Sequence, residues 1–298
     1  MATAYDFISA NKRRSVFLIG IFILLFGAVG YAVERLLGTG PIAIVAALGI
    51  SIASAYVGYY SGDQIALRAS GAHGPITKAE NSYLYTMVEN LTIAEGLPMP
   101  KLYIINDDAI NAFATGRDPQ HASIAVTSGA MQHLENEELQ GVLAHELSHI
   151  KNYDIRFMML VTILVGSIAL LSHFAVRANM FGRRRSNSEN SQGNAIVMIL
   201  GLLLLILAPI AAQLVQLAVS RKREFLADAS GALMTRYPAG LANALQKIEA
   251  SAQPMQNANS ATAPLFFSSP FGAKKLSSLF STHPPVAERV AALRKMGA

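Results

Sequence analysis

The chain has no cysteine, and only 14% of its 298 residues are Asp, Glu, Lys or Arg. Without cysteine there is no disulfide staple, no thiolate-ligated zinc ribbon and no thiol nucleophile. A bound metal must therefore be held by His and carboxylates. Soluble domains average about 25% charged and 45–50% apolar residues; here the apolar share is 52%. That balance excludes both an ordinary water-soluble globule and a disordered chain. Neither an internal repeat nor a Walker-type phosphate loop is present. The formal net charge of +5 is a small basic excess. It suits loops facing anionic lipid and not a nucleic-acid footprint.

The apolar residues fall into four blocks, Ser15 to Val33, Pro41 to Tyr60, Ile155 to Val176 and Ala195 to Val219. Each reaches roughly the 20 residues that an α-helix needs to cross a bilayer. None holds Asp, Glu or Lys; Arg156 and His173 sit only at the ends of the third. Four spanning helices are expected. A cleaved signal peptide is the competing reading of the first block, because Lys12-Arg13-Arg14 precedes it. Its apolar run is longer than a signal's, so a retained anchor is the reading adopted. The second block is rich in Ala, Gly and Ser and predicts close packing against another helix. The fourth looks lipid-facing, with a kink at Pro209.

If all four cross, nine basic residues near the span ends share a face with stretches 61–154 and 220–298. These are Lys12, Arg13, Arg14, Arg68, Lys151, Arg156, Arg221, Lys222 and Arg223. Arg35, Arg177 and Arg183-Arg184-Arg185 lie on the other. The larger group marks its side as cytoplasmic in a multi-pass membrane protein. The Arg183 cluster opposes this and leaves open a last hairpin that dips in without crossing. The domain reading is an N-terminal hairpin (1–60), a polar part (61–154), a second hairpin (155–219) and a polar C-terminal part (220–298).

In the polar parts, apolar spacing predicts a helix from Thr77 to Glu95, stopped by Gly96 and Pro98. Strands are expected at Leu102–Ile105 and Ser123–Thr127. A further helix follows Asn136 as its N-cap, with Glu137 and Glu138 at its positive start. Helices are also expected at Arg221–Arg236, Ala239–Ala252 and after Pro285. The Ser/Asn/Ala/Gln-rich stretch Ser251–Ala263 reads as a mobile linker.

Within the Glu137–Asn152 helix stands His145-Glu146-Leu147-Ser148-His149. One turn separates the two His, so both imidazoles leave the same face and can share a tetrahedral metal. Glu146 is aimed near the open position. A zinc there lowers the pKa of water from 15.7 to about 7, and the carboxylate can accept the proton. A third ligand is required. Position 155 is Ile, which excludes a His six residues on. Asp154 follows the end of the helix, so Glu224 is the better candidate, with Asp228 one turn beyond to fix a His tautomer. A charged surface helix is the competing reading of Glu224 and Asp228. Two apolar blocks separate His149 from Glu224, and an even number of crossings returns the chain to its starting face.

These residues, the four blocks placed around them and the terminal His283-Pro284-Pro285 segment resemble the HtpX family. Those are bacterial heat-shock membrane zinc proteases related to the CAAX prenyl endopeptidases. The resemblance implies four transmembrane helices and a cytoplasmic, zincin-like α+β protease domain with a small sheet. It implies one Zn²⁺ per subunit held by His145, His149 and Glu224, with Glu146 as general base and acid and Asp228 behind the ligands. It implies cleavage of misfolded or damaged membrane proteins as quality control under stress. The strand Ser123–Thr127, with Ala125 at its centre, resembles the edge strand that aligns substrate. Asn111 and Phe113 match the family's Asn-Ala-Phe segment at the cleft; a turn residue and a core aromatic are the competing readings. His283 is the candidate oxyanion donor, against a plain helix-start His. Arg289 reads as a salt-bridge partner outside the catalytic set.

The expected partners are protein substrates and the lipid bilayer, with no nucleic acid. The resemblance implies the bacterial inner membrane as the location and, with no ATP motif in the chain, a separate membrane ATPase for any extraction of substrates. Oligomeric state is not readable. Three rivals stand beside this: a membrane zinc carrier, an inactive scaffold and a CAAX-type prenyl-protein endopeptidase. A carrier should bury ionisable groups inside its spans, whereas the ligands here fall outside them. An intact Glu146 weighs against a scaffold.

Overall fold

The computed structural model describes residues 4–37, 40–183, 221–251, 253–259, 261–272 and 284–297. Two long helices open the chain, α1 (Ala4–Leu37) and α2 (Ile42–Ala69). Within them, Ile8–Tyr31 and Ile42–Ala69 are long and apolar enough to cross a membrane. The second helix passes the expected stop at Tyr60 and runs through the 60/61 domain boundary, since no proline interrupts it there. Its buried residues include Ser51, Ala55, Gly58, Gly62 and Ala66, small side chains three or four apart on one face. That face meets the helix that begins at Asp154. A Cβ on Gly58 would stand 2.9 Å from Ile163 Cγ2, so the close packing predicted from composition is found.

A four-stranded mixed sheet follows in the order β1-β2-β4-β3. Strand β1 (Ala72–Ile76) pairs antiparallel with β2 (Lys101–Ile105), and β2 pairs parallel with β4 (Ala122–Thr127). Strand β3 (Ala112–Gly116) pairs antiparallel with β4 and forms one edge. The expectation that Ser123–Thr127 is the edge is thereby corrected. Ala125 stands opposite Tyr103 on one side and Phe113 on the other, so its backbone offers no free edge to a substrate. Strands β1 and β3 were not signalled in the sequence. Gly74-Pro75 reads as a breaker, and Ala112, Ala114 and Gly116 have weak strand preference.

Helix α3 (Ser82–Glu95) starts later than expected. Asn81 caps it by accepting from Leu84 N at 3.0 Å, while Thr77–Glu80 closes into a turn in which Thr77 N donates to Glu80. The short α4 (Ser128–His133) leads to α5 (Asn136–Lys151), whose cap is Glu135, one residue before the expected Asn136. Tyr153, at φ 59°, turns the chain into α6 (Asp154–Arg183). The third apolar block lies in α6; the fourth, 195–219, lies outside the described residues. Among the described residues, the further α-helices are α7 (Arg221–Thr235), α8 (Pro238–Ser251) and α9 (Val286–Met296).

Strand alternation gives the sheet two faces. Leu102, Ala112, Ala114, Ile124 and Val126 pack on α3, α5 and α8. Tyr103, Ile105, Phe113 and Ala125 pack on Leu67 of α2 and Met158 of α6. The α5 layer and the ends of α2 and α6 thus lie on opposite faces of one sheet. Of the stretch expected to be a mobile linker, Met255, Thr262 and Ala263 are buried and most of the other described residues are exposed. Just beyond it Leu265, Phe266 and Phe267 are buried, and Phe266 and Phe267 pair with β3.

Candidate metal centre

Helix α5 is buried along most of its length, including His145, Glu146 and His149. The i, i+4 spacing brings His145 Nε2 and His149 Nε2 to 3.1 Å of each other. Helix α7 crosses close by because position 231 is glycine: a Cβ there would lie 2.9 Å from His145 N. That approach sets Glu224 Oε2 3.8 Å from His145 Nε2 and Glu224 Oε1 3.6 Å from His149 Nε2. The three donors lie within 4.8 Å of one another. A tetrahedral ion about 2.1 Å from each ligand spaces its donors roughly 3.4 Å apart, so the group fits such an ion.

Both imidazoles are fixed from behind. His145 Nδ1 is 2.9 Å from Asp228 Oδ1, and His149 Nδ1 is 3.0 Å from Asp154 Oδ2. Each Nδ1 donates to its carboxylate, which leaves each Nε2 facing the shared space. Asp228 is gripped by Arg289, whose Nε and Nη2 donate at 2.8 and 2.6 Å. Asp154 accepts at 2.7 Å from Asn11 Nδ2 of α1, and Asn11 also donates to the carbonyl of Asn152. Glu146 accepts from the backbone N–H of Ala114 at 2.8 Å.

The buried charges also call for a cation. Glu146, Asp154, Glu224 and Asp228 face Arg223 and Arg289, all of them buried. With Glu146 ionised and His149 neutral, as a metal ligand must be, two negative charges are left over, which a divalent ion would balance. The crowding of buried charge shifts the acidities. Burial pushes Glu146 up to about 7, and the neighbouring Glu224 charge adds to it. Burial takes His145 down to about 4 against its hydrogen bond to Asp228. Burial opposes the charge on His149 too, but the Asp154 hydrogen bond and the Glu224 charge outweigh it and raise His149 to about 9. Burial alone would raise Asp228, yet the bonds from Arg289 and His145 hold it below the usual carboxylate range.

Of the residues singled out in the sequence, His145, Glu146, His149, Glu224 and Asp228 come together. His283 lies outside the described residues. Asn111 sits at the start of β3, where its amide bonds both ways with the backbone of Ser268, at 3.0 and 3.1 Å. The Phe113 side chain is buried on the face away from α5, against Phe266 with ring centroids 4.9 Å apart. Asp154, considered only as a spare ligand, supports His149 instead. Sequence reasoning missed Asn11 and Ala114 altogether and left Arg289 outside the site. A buried Arg in a terminal amphipathic helix and an Asn ahead of three basic residues are weak signals before the fold is known.

A model of Peptidase family M48 matches residues 78–297. The Protease HtpX homolog of Tropheryma whipplei (strain TW08/27) is 46% identical over 293 residues, 98% of this chain and 98% of its own. That of Dictyoglomus turgidum is 44% identical over 295 residues, covering 99% and 95%. Among solved structures, S. mikatae Ste24p aligns with a TM-score of 0.51 at 19% identity, over 97% of this chain and 67% of that one. At that identity the likeness concerns the fold.

Proposed function

The chain belongs to peptidase family M48, and from that premise we propose a zinc-dependent endopeptidase working at the inner face of a bacterial membrane. The observation that carries this reading is the meeting of His145, His149 and Glu224 within 4.8 Å, with Glu146 beside them on the same helix. An N₂O donor set whose two imidazoles are each tied to a carboxylate suits Zn²⁺. When bound, the ion acidifies the attacking water and polarises the scissile carbonyl.

The remaining work falls to the chain's own side chains. Glu146 takes the water's proton as oxygen attacks the carbonyl carbon, then gives a proton to the leaving amine as the C–N bond breaks. Its elevated acidity range near 7 suits both directions of transfer. Asp228 and Asp154 hold the two imidazoles in one tautomer, and Arg289 keeps Asp228 ionised. His283 is proposed as the oxyanion donor.

Strand β3 is the edge to which an extended substrate adds. Alternation in its antiparallel pair turns the N–H and C=O groups of Ala112, Ala114 and Gly116 away from β4. Phe266–Phe267 pairs with the first part of that edge and the Ala114 N–H goes to Glu146, so the part of the strand from the Ala114 carbonyl to Gly116 is what an incoming chain would use. Added pairing by substrate backbone gives affinity that depends little on sequence, which suits misfolded membrane proteins in stress-linked quality control. Four spans, a cytoplasmic active site and a membrane ATPase that delivers substrate belong to the same proposal, resting on the basic-residue asymmetry and the lack of an ATP motif.

The test compares wild type with Glu146→Gln, both purified as the full chain in detergent. The variant keeps one zinc per chain and loses cleavage of an unfolded protein by roughly 10²-fold or more. Equal cleavage by the two removes the proteolytic assignment.

A further inference from the structure

On the face of the sheet away from α5, a cavity of about 470 Å³ opens between α2 and the strand ends. Its wall on α2 is Tyr59, Tyr60, Asp63 and Gln64, where the apolar stretch of that helix gives way to polar residues. Such a tyrosine pair at the end of an apolar helix marks the headgroup level of a bilayer. The opposite wall brings Lys101 of β2, Ser123 of β4 and Arg117 from the turn after β3.

Three features of that wall suit a phosphate. Ser123 borders the cavity and is only 1% exposed, and its buried hydroxyl has no hydrogen-bond partner in the protein. Lys101 makes no ion pair among the described residues. Arg117 lies over the Tyr60 ring at 5.4 Å and stands 3.6 Å from Asp118, whose other oxygen is taken by His121 at 2.6 Å. The guanidinium therefore keeps donors to spare. Asp63 on the α2 side suits a donor next to the phosphate, such as an ammonium or a glycerol hydroxyl.

We propose that this cavity binds the headgroup of one membrane phospholipid, its phosphate held by Lys101, Arg117 and the Ser123 hydroxyl and its donor group by Asp63. The lipid would lock the exit of α2 to the sheet from the side opposite the metal. This rests on the membrane placement in the preceding section and is independent of the metal and of cleavage.

The test uses the full zinc-loaded chain, reconstituted in vesicles of phosphatidylethanolamine and phosphatidylglycerol, re-extracted in mild detergent and weighed by native mass spectrometry. Wild type is expected to retain one phospholipid per chain. A Lys101→Gln/Arg117→Gln double variant with unchanged zinc content loses retention about twenty-five-fold, a factor of roughly five per charge removed near a lipid surface. Ser123→Ala is the milder variant and lowers retention severalfold should the double variant fail to fold. Equal retention by wild type and either folded variant overturns the proposal. Displacement of the lipid by millimolar inorganic phosphate also overturns it, since the site would then belong to a soluble anion. Loss of cleavage with lipid retention intact bears on the peptidase reading alone.

Discussion

His149 shows how a single side chain can report on the whole centre. In the metal-free protein its pKa is raised to about 9, against burial, by Asp154 and Glu224. At pH 7 it therefore carries a proton that a metal must displace before Nε2 can act as a donor. His145, held near 4, has no proton to give up at that pH. Metal uptake at pH 7 is expected to release about one proton from this pair. Apparent affinity should climb about tenfold per pH unit and flatten near pH 9. Titration calorimetry in buffers of different ionisation enthalpy measures the proton count directly. A pH-independent affinity between 6 and 8 would show that the His149 proton is not in competition. The ligands themselves could be read from the sequence, because a helix repeat fixes where positions 145 and 149 point. Asp154 could not, because the backbone turn at Tyr153 (φ 59°) that folds it back on His149 leaves no pattern in residue types.

At the level of elements, the site is where α5, α7 and the first turn of α6 converge, and α1 reaches into it as well. Asn11 lies in the basic approach to the first apolar block, yet it is 3% exposed and donates to both Asp154 and the end of α5. A membrane helix thus braces the carboxylate that orients a metal ligand. Replacing Asn11 with Leu leaves that carboxylate short of a donor. It should weaken zinc about tenfold, the lower end of what lost outer partners of metal ligands cost. Competition with a chromophoric chelator measures this, and unchanged affinity would reduce Asn11 to a packing residue. Helix existence was legible from apolar spacing, as for α3 and α5. The edge strand was not: three of the five residues of Ala112–Gly116 are Ala or Gly, poor strand formers, and it forms because β4 pairs with it along its length and Phe266–Phe267 with its first part.

For the molecule as a whole, the mixed sheet has the metal helix on one face and the ends of α2 and α6 on the other, while α1 packs on α6. The number of crossings then decides which loops share the catalytic side. With four spans, the loop holding Arg183-Arg184-Arg185 faces outward. A membrane-impermeant maleimide applied to intact cells should label Arg184→Cys, while Lys247→Cys reacts only after permeabilisation, and the absence of native cysteine keeps the background clean. Labelling of both only after permeabilisation would mean that the last hairpin does not cross. The sequence by itself determined the two membrane-length helices and the metal helix and singled out Glu224 as the acid, because block length and helical period are local. Only the tertiary structure decided which strand is the edge, which carboxylate stands behind each imidazole, and that Arg289 and Asn11 belong to the centre. Those are contacts between residues as far apart as 144 positions, and nothing in a one-dimensional pattern records which distant side chains packing will bring together.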